Sequence, residues 1–232
     1  MTAVDLDSLK KAAALKAVEF VRDGMVVGLG TGSTAKHLVI ALGEKVCSGM
    51  KLRGVPTSQE TAALAKQAGI PLIDAENRWE IDVAIDGADQ VDPQFNLIKG
   101  GGGALLKEKI VAASSKQFIV MVDHTKQVPV LGGSFPLPIE VIPFGWGSTA
   151  RDIEALTKSR VVLRVRNGVP FKTEAGNLIV DVHIDHINQP GDLEVALNLI
   201  PGVVETGLFV GRTNVLIVGS PQGVHTLHVP KA

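Results

Sequence analysis

Four consecutive glycines, Gly100, Gly101, Gly102 and Gly103, stand near the middle of the chain, between Lys99 and the segment Ala104-Leu105-Leu106-Lys107-Glu108. Glycine loses more backbone freedom on ordering than any other residue, so such a run does not build the interior of a helix or strand. It fits a place where bare backbone N–H groups approach a ligand, or where a turn needs unusual dihedrals. Beyond it, Leu106, Ile110 and Ala113 share one helical face, which predicts a helix over 104–114. The glycines therefore lead into a helix N-terminus, a natural anion site. Glu108 has Ala104 one turn before it and Ala112 one turn after. A carboxylate with small, apolar neighbours has a raised pKa and suits a general base near neutrality. An ordinary first-turn glutamate, favoured by the helix dipole, accounts for the same residue.

Around the run, strand and helix patterns alternate. Helices are predicted over 6–21, where Leu9, Ala13, Ala17 and Phe20 share a face, and over 35–42 and 59–68. Buried strands are predicted over 25–29, 51–55, 81–85 and 118–122. This order implies an α/β fold: a Rossmann-like, mostly parallel sheet with helices on both faces. In such sheets ligands bind beyond the carboxyl ends of the strands. Three predicted strands end in polar groups: Gly30-Thr31-Gly32-Ser33-Thr34, Asp86-Gly87-Ala88-Asp89 and Asp123-His124-Thr125-Lys126. Lys99, the glycines and Glu108 add a fourth element on the same expected side.

A strand, a Gly/Thr/Ser loop and a helix present donors to a phosphate. Two nucleotide motifs fail here. A dinucleotide fingerprint needs glycine where Ser33 stands, and the next strand runs into Pro56-Thr57-Ser58, with no acidic ribose ligand. A P-loop needs Gly-Lys-Ser/Thr after its glycines, which the chain lacks. Phosphate binding without a nucleotide is the expectation, with a purely structural turn as its rival. The net charge of −1 supplies no basic field for nucleic acid or an anionic membrane. One cysteine, Cys47, rules out an intramolecular disulfide and fits a reducing cytoplasm. The segment 1–20 is amphipathic and dotted with lysine, unlike a signal peptide. No apolar stretch is long enough to span a bilayer.

From Leu131 the texture changes. Gly132, Gly133, Pro136, Pro138 and Pro143 read as a linker. A helix over 149–156, a hairpin turning at Asn167-Gly168, a strand over 178–184 and a helix over 193–200 form a smaller α+β unit. Strands over 215–218 and 224–229 rejoin the first domain. The expected division is a catalytic domain of residues 1–132 with 211–232, and a smaller domain of 133–210, a candidate for oligomerisation. His183 with His186, and His225 with His228, have no Cys or Glu clustered with them, so no metal site is expected.

Taken together, Gly-Thr-Gly-Ser-Thr at 30–34, Asp-Gly-Ala-Asp at 86–89, Lys-Gly-Gly-Gly at 99–102, Glu108 and Lys-Gln-Val at 126–128 resemble the A-type ribose-5-phosphate isomerase family. The resemblance continues through Phe-Pro-Leu-Pro-Ile-Glu-Val-Ile-Pro at 135–143, Ile-Pro-Gly-Val-Val at 200–204 and Gly-Leu-Phe at 207–209, so it covers essentially the whole chain. It implies metal- and cofactor-independent interconversion of D-ribose 5-phosphate and D-ribulose 5-phosphate, in the pentose phosphate pathway and the Calvin cycle. It also implies a cytoplasmic homodimer or homotetramer. By matching position, Glu108 corresponds to the proton acceptor. Thr31, Gly32, Ser33, Thr34, Asp86, Gly87, Ala88, Asp89, Lys99, Gly100, Gly101, Gly102 and Lys126 correspond to substrate-contacting segments. Lys10 falls where the family has a lysine near the phosphate. Pro56-Thr57-Ser58, where relatives carry a serine-rich run, and Phe144-Gly145-Trp146 depart from the pattern.

The residue types suit that chemistry. Asp86 or Asp89 assists ring opening, or orients hydroxyls. Glu108 carries one proton between adjacent carbons through an enediolate. Lys99 and glycine N–H groups stabilise the developing charge. Two other classes compete with this reading, a non-catalytic sugar-phosphate sensor and an acyl transferase using Glu108 as nucleophile. Neither accounts for the paired aspartates as well.

Overall fold

The computed structural model describes residues 5–74, 76 and 78–229. The amphipathic N-terminal reading therefore begins outside the described residues. In chain order the elements are α1 Leu6–Val18, β1 Val26–Leu29, α2 Ser33–Cys47, β2 Arg53–Pro56, α3 Gln59–Gln67, β3 Val83–Gly87, β4 Gln90–Val91, β5 Leu97–Ile98, α4 Leu105–Ala113 and β6 Phe118–Asp123. A single 3-10 turn, His124–Lys126, follows β6. Then come β7 Leu137–Val141, α5 Trp146–Thr157, β8 Arg160–Leu163, β9 Val165–Arg166, β10 Val169–Pro170, β11 Leu178–His183, α6 Pro190–Asn198, β12 Val203–Thr206, β13 Leu208–Phe209, β14 Val215–Ser220 and β15 Gly223–His228.

The chain groups into two compact units. The first gathers the chain up to Ala88, Lys107–Lys126 and the stretch from Arg212 onward; the second is Asp89–Leu106 with Gln127–Gly211. The sequence-drawn domains kept residues 1–132 together. The structure instead groups Asp89–Leu106 with the second unit, because β5 pairs with β13 and β4 with β5. The β5–β13 pairing spans over a hundred residues, and two-residue strands carry no periodicity that could announce it.

The first unit holds a six-stranded sheet in the order β15-β14-β6-β3-β1-β2. All its pairings are parallel except β14 with β15. Period-two alternation assigns its faces. Val27, Leu29, Val83, Ile85, Ile119, Met121, Val215 and Ile217 share a core with Ala13, Ala14 and Ala17 of α1 and Leu38, Val39 and Leu42 of α2. Residues of the other alternation meet α4: a Cβ placed on Gly28 would lie 2.5 Å from Val111 Cγ1 and 2.9 Å from Ala84 Cβ. Helices thus cover both faces. β1 pairs with β2 on one side and with β3 on the other, so the chain reverses direction between β1 and β3. That is the switch point at which open α/β sheets bind ligands.

The second unit contains a four-stranded antiparallel sheet, β12-β7-β11-β8, a three-stranded sheet, β13-β5-β4, and the hairpin β9–β10. Leu137, Ile139 and Val141 of β7 and Leu178, Val180 and Val182 of β11 form its core with Ile153 of α5 and Leu197 of α6. The hairpin turns at Asn167 and Gly168, both at positive φ (54° and 79°), the dihedrals of a two-residue hairpin loop. The prolines at 136, 138 and 143 gave a linker reading that the structure corrects, since β7 is an interior strand that includes Pro138. The Pro138 carbonyl accepts the Gly207 N–H at 2.7 Å, just beyond the end of β12. Its missing N–H faces that same side, so no ladder bond is lost where β12 pairs.

At the start of β1, the Asp82 carboxylate accepts the Val26 N–H at 2.9 Å and the Lys116 ammonium at 2.7 Å. The Lys116 hydrogen bond and then the Val26 N–H hold the Asp82 carboxyl below its usual value. A depressed carboxylate contributes stability that is present above its unfolded pKa and is lost as pH falls through the folded one. Asp82→Asn should therefore flatten the acid limb of the stability profile and leave neutral-pH turnover intact, as thermal melts across that range will read. Gly28→Ala should cost about 1–3 kcal/mol by overpacking. Adding Val111→Ala should restore part of that loss, a coupling that denaturant titrations of the single and double variants measure.

Candidate active site

The first unit supplies a loop, a carboxylate and a helix start at the switch point. Asp86 lies near the end of β3 and is 3% exposed. Its Oδ1 accepts the N–H of Thr31 at 3.1 Å and of Gly87 at 2.7 Å. A Cβ on Gly30 would come within 2.1 Å of that oxygen, so only glycine lets the β1 loop close over the carboxylate. The Thr31 hydroxyl contacts those of Thr57 at 2.7 Å, Ser58 at 2.9 Å and Thr61 at 3.3 Å. Thr61 donates to the Gly30 carbonyl at 2.9 Å, and Ser58 also caps α3 through the Thr61 N–H. The loop is thereby fixed to β2 and α3. From the sequence, Thr57 and Ser58 stand out only as a departure from the family pattern, and Thr61 does not stand out at all. Their one visible signal is a cluster of small hydroxyls.

Gly32, at φ 105°, caps α2, whose first residues are Ser33 and Thr34. The first turn of α2 carries no acid. Its orphan N–H groups and dipole favour an anion. Gly32 and Ser33 are exposed and Thr34 is buried. Lys10 is half-buried on α1. Beside it, Asp7 pairs with His37 at 2.9 Å. That hydrogen bond holds the Asp7 carboxyl below its usual value, and the charges of His37, Lys10 and Lys36 act in the same direction. Cationic groups therefore gather near the start of α2. Lys126 is half-buried and closes the 3-10 turn after β6. Asp123 shapes that turn by accepting the Thr125 N–H at 3.0 Å and the Thr125 hydroxyl. Glu108 is the fourth residue of α4 and only 6% exposed. Ala88 is half-buried and ends this unit's share of the Asp-Gly-Ala-Asp segment.

The second unit holds the glycine run. Lys99 is 3% exposed; its N–H donates to the Gly207 carbonyl at 2.9 Å, and its Nζ lies 5.5 Å from the centre of the Phe209 ring. Asp89 is half-buried, and its Oδ2 accepts the Gly101 N–H at 2.8 Å. Gly100 and Gly103 take positive φ (105° and 89°), and the Gly103 N–H closes a turn onto the Gly100 carbonyl at 3.0 Å. Of the two readings of the run, the turn with unusual dihedrals is the one these φ values fit. The N–H groups of Gly101 and Gly103 are engaged, and Gly102 is the exposed one, with nothing within 4 Å of a built Cβ.

A hollow of about 770 Å³ in the first unit is lined by Arg53, Val55, Trp79, Ile110 and Val111 among others, and by none of the candidate site residues. His183, His186, His225 and His228 are all exposed, and His186 lies outside the strands. Among the described residues, no group of three or more His, Cys, Asp or Glu is placed to hold a metal. No described helix is long and apolar enough to cross a membrane.

Residues 53–223 match the model of ribose 5-phosphate isomerase A, also called phosphoriboisomerase A. The chain belongs to the ribose 5-phosphate isomerase A family. It is 52% identical over 228 residues to ribose-5-phosphate isomerase A of Nitrobacter hamburgensis, covering 96% of this chain and 98% of that one. To the Bradyrhizobium diazoefficiens protein of the same name it is 48% identical, with 97% of each covered. Among solved structures, a D-ribose-5-phosphate isomerase in complex with phospho-erythronic acid superposes with a TM-score of 0.93 at 42% identity, over 97% of this chain and all of that one. Ribose 5-phosphate isomerase A of Methanocaldococcus jannaschii superposes with a TM-score of 0.91 at 40% identity, over 96% of this chain and 99% of that one.

The hydroxyl cluster gives this family member's loop a specific dependence. Thr31→Val leaves polar partners unsatisfied and should lower stability by about 1–3 kcal/mol. Thr31→Ser, which keeps the hydroxyl, should stay within about 1 kcal/mol of the parent. Thermal unfolding of the two variants separates them.

Proposed function

We propose that this family member interconverts D-ribose 5-phosphate and D-ribulose 5-phosphate through an enediolate, with Glu108 as the proton-carrying base and no metal in the mechanism. The observation that carries the assignment is the placement of Glu108. It is a buried carboxylate in the first turn of α4, and α4 begins two residues past the last glycine of the run. A base so placed needs no long reach to act beside a backbone-donor loop.

Each residue then has a role. Gly32, Ser33 and Thr34 at the start of α2 bind the phosphate, assisted by Lys10. Their N–H groups and the dipole suit a dianion. Thr31 holds that loop in place through the hydroxyl cluster. The substrate arrives mainly as a closed ring. A carboxylate of the pair Asp86 and Asp89, with Gly87 and Ala88 shaping the segment between them, moves a proton from the C1 hydroxyl to the ring oxygen. The C1–O4 bond breaks and an aldehyde forms. Glu108 takes the C2 proton, and the electron pair moves to the C1–C2 bond and onto O1. Lys99 and the N–H groups of Gly100 and Gly102, on either side of the Gly101 N–H that Asp89 accepts, stabilise that charge. Glu108 then returns the proton to C1, while a proton passes from O2 to O1 to leave the ketose. Lys126 contacts substrate. A relative was solved with phospho-erythronic acid. That molecule carries a phosphate and a planar carboxylate at opposite ends, the charge pattern of the enediolate.

The same reading places the enzyme in the cytoplasm as a homodimer or homotetramer. Phe144 at 89% exposure, with Val195 of α6 and Leu199 just past its end also open, supports self-association through the second unit. The decisive experiment incubates EDTA-treated protein with ribose 5-phosphate in deuterated water. NMR should show ribulose 5-phosphate with deuterium at C1. Glu108→Gln should lower kcat by about 10²–10⁴-fold while KM stays within several fold. Retained turnover in that variant overturns the assignment of the base.

A further inference from the structure

We propose that Arg164 is a positioning residue for the isomerase reaction: it sets the direction in which the glycine run presents its amides. The proposal rests on the reading above, in which that run faces the developing enediolate.

Arg164 follows β8 and precedes β9. Its Nη1 donates to the carbonyl of Gly100 at 2.7 Å and of Gly101 at 3.2 Å. A trans peptide carries its C=O and N–H on opposite sides. Fixing the Gly100 carbonyl therefore turns the Gly101 N–H away from the guanidinium, where Asp89 accepts it. Fixing the Gly101 carbonyl turns the Gly102 N–H away in the same manner, and Gly102 is exposed. One side chain thus orients two successive peptide units. A cation hydrogen-bonded to a carbonyl also polarises the peptide and strengthens its N–H as a donor.

The clamp is needed because the run consists of glycine. Peptide flips between glycines cost little, since both signs of φ are open to them. Nothing in the run itself selects the orientation that faces substrate. Arg164 is in turn held rigidly: Nε donates to Asp181 Oδ2 at 2.8 Å and Nη2 to Asp181 Oδ1, a fork that a lysine cannot reproduce. Both side chains are largely buried, at 12% and 17% exposure. Asp181 lies on β11 opposite Val162 of β8, so strand register brings the pair together. The backbone of Arg164 is pinned as well, by the Ile179 carbonyl and the Phe171 N–H, each at 2.8 Å. Phe171 packs under the end of the run, where a Cβ on Gly103 would meet its ring at 2.4 Å.

The test compares Arg164→Lys and Asp181→Asn with the parent enzyme. Four quantities are measured: kcat, KM, the inhibition constant of phospho-erythronic acid and that of inorganic phosphate. Arg164→Lys should lower kcat about 10- to 100-fold and leave KM within about threefold. Affinity for phospho-erythronic acid should fall by the same factor as kcat/KM, and that for inorganic phosphate should not change. Asp181→Asn, which keeps the cation and loosens the fork, should give a smaller loss of the same kind; it carries the comparison alone if Arg164→Lys does not fold. A lowered melting temperature with unchanged kcat overturns the proposal. So does a parallel loss of affinity for both inhibitors, which marks a general structural role. Failure of the base assignment shows separately, as turnover by Glu108→Gln with Arg164 intact.

Discussion

A buried carboxylate at the end of a central strand is the constraint on which the loops at the first unit's switch point depend. Asp86 is in the sheet interior because β3 pairs with both β1 and β6. Burying an ionised carboxylate costs free energy unless donors surround it. The N–H groups of Thr31 and Gly87 are such donors. Satisfying Asp86 thus draws the loop after β1 across the switch point, and Gly30 permits the approach. The start of α2 follows from where that loop ends. An electrostatic requirement in the strand becomes the position of the first turn of α2.

The second unit solves a different problem. Four glycines have no preferred conformation, so the fold must impose one from outside. Asp89 and Arg164 hold opposite sides of the peptide unit joining Gly100 to Gly101, and Phe171 packs against Gly103. Lys99, just before the run, is held by the Gly207 carbonyl and lies near the Phe209 ring. The freedom that lets glycine bring bare backbone near a ligand is the freedom these contacts remove. Donors oriented in advance of a ligand lower the reorganisation that binding or reaction needs.

Much of the architecture was legible from pattern. Val27 and Leu29, Val83 and Ile85, and Ile119 and Met121 alternate as half-buried strands must, and they share one core. The polar groups at the ends of β3 and β6, Asp86 and Asp123, were legible too, because each closes an apolar strand pattern. Where the reading failed, the physical cause was long range. The linker drawn through Pro136, Pro138 and Pro143 contains an interior strand, β7, whose Pro138 is tolerated because β12 has ended where Pro138 lacks its donor. Asp89–Leu106 joined the second unit through two-residue strands that only pairing defines. The Thr31 hydroxyl cluster spans about thirty residues, and the Arg164 clamp on the glycines spans 64.

By itself the sequence determined the alternation of strand and helix, the side of the sheet on which chemistry-bearing residues fall, and the family those residues resemble. These are local properties, written in periodicity and in short motifs. Tertiary structure alone decided how each motif is used. It made Asp86 a buried anchor for a loop, tied Thr31 to Thr57, Ser58 and Thr61, left Gly102 exposed while engaging the N–H groups of its neighbours, and recruited Arg164 and Asp181 to hold them. The direction of a peptide plane and the partner of a buried charge depend on contacts between distant segments, and no window of sequence contains both sides of such a contact.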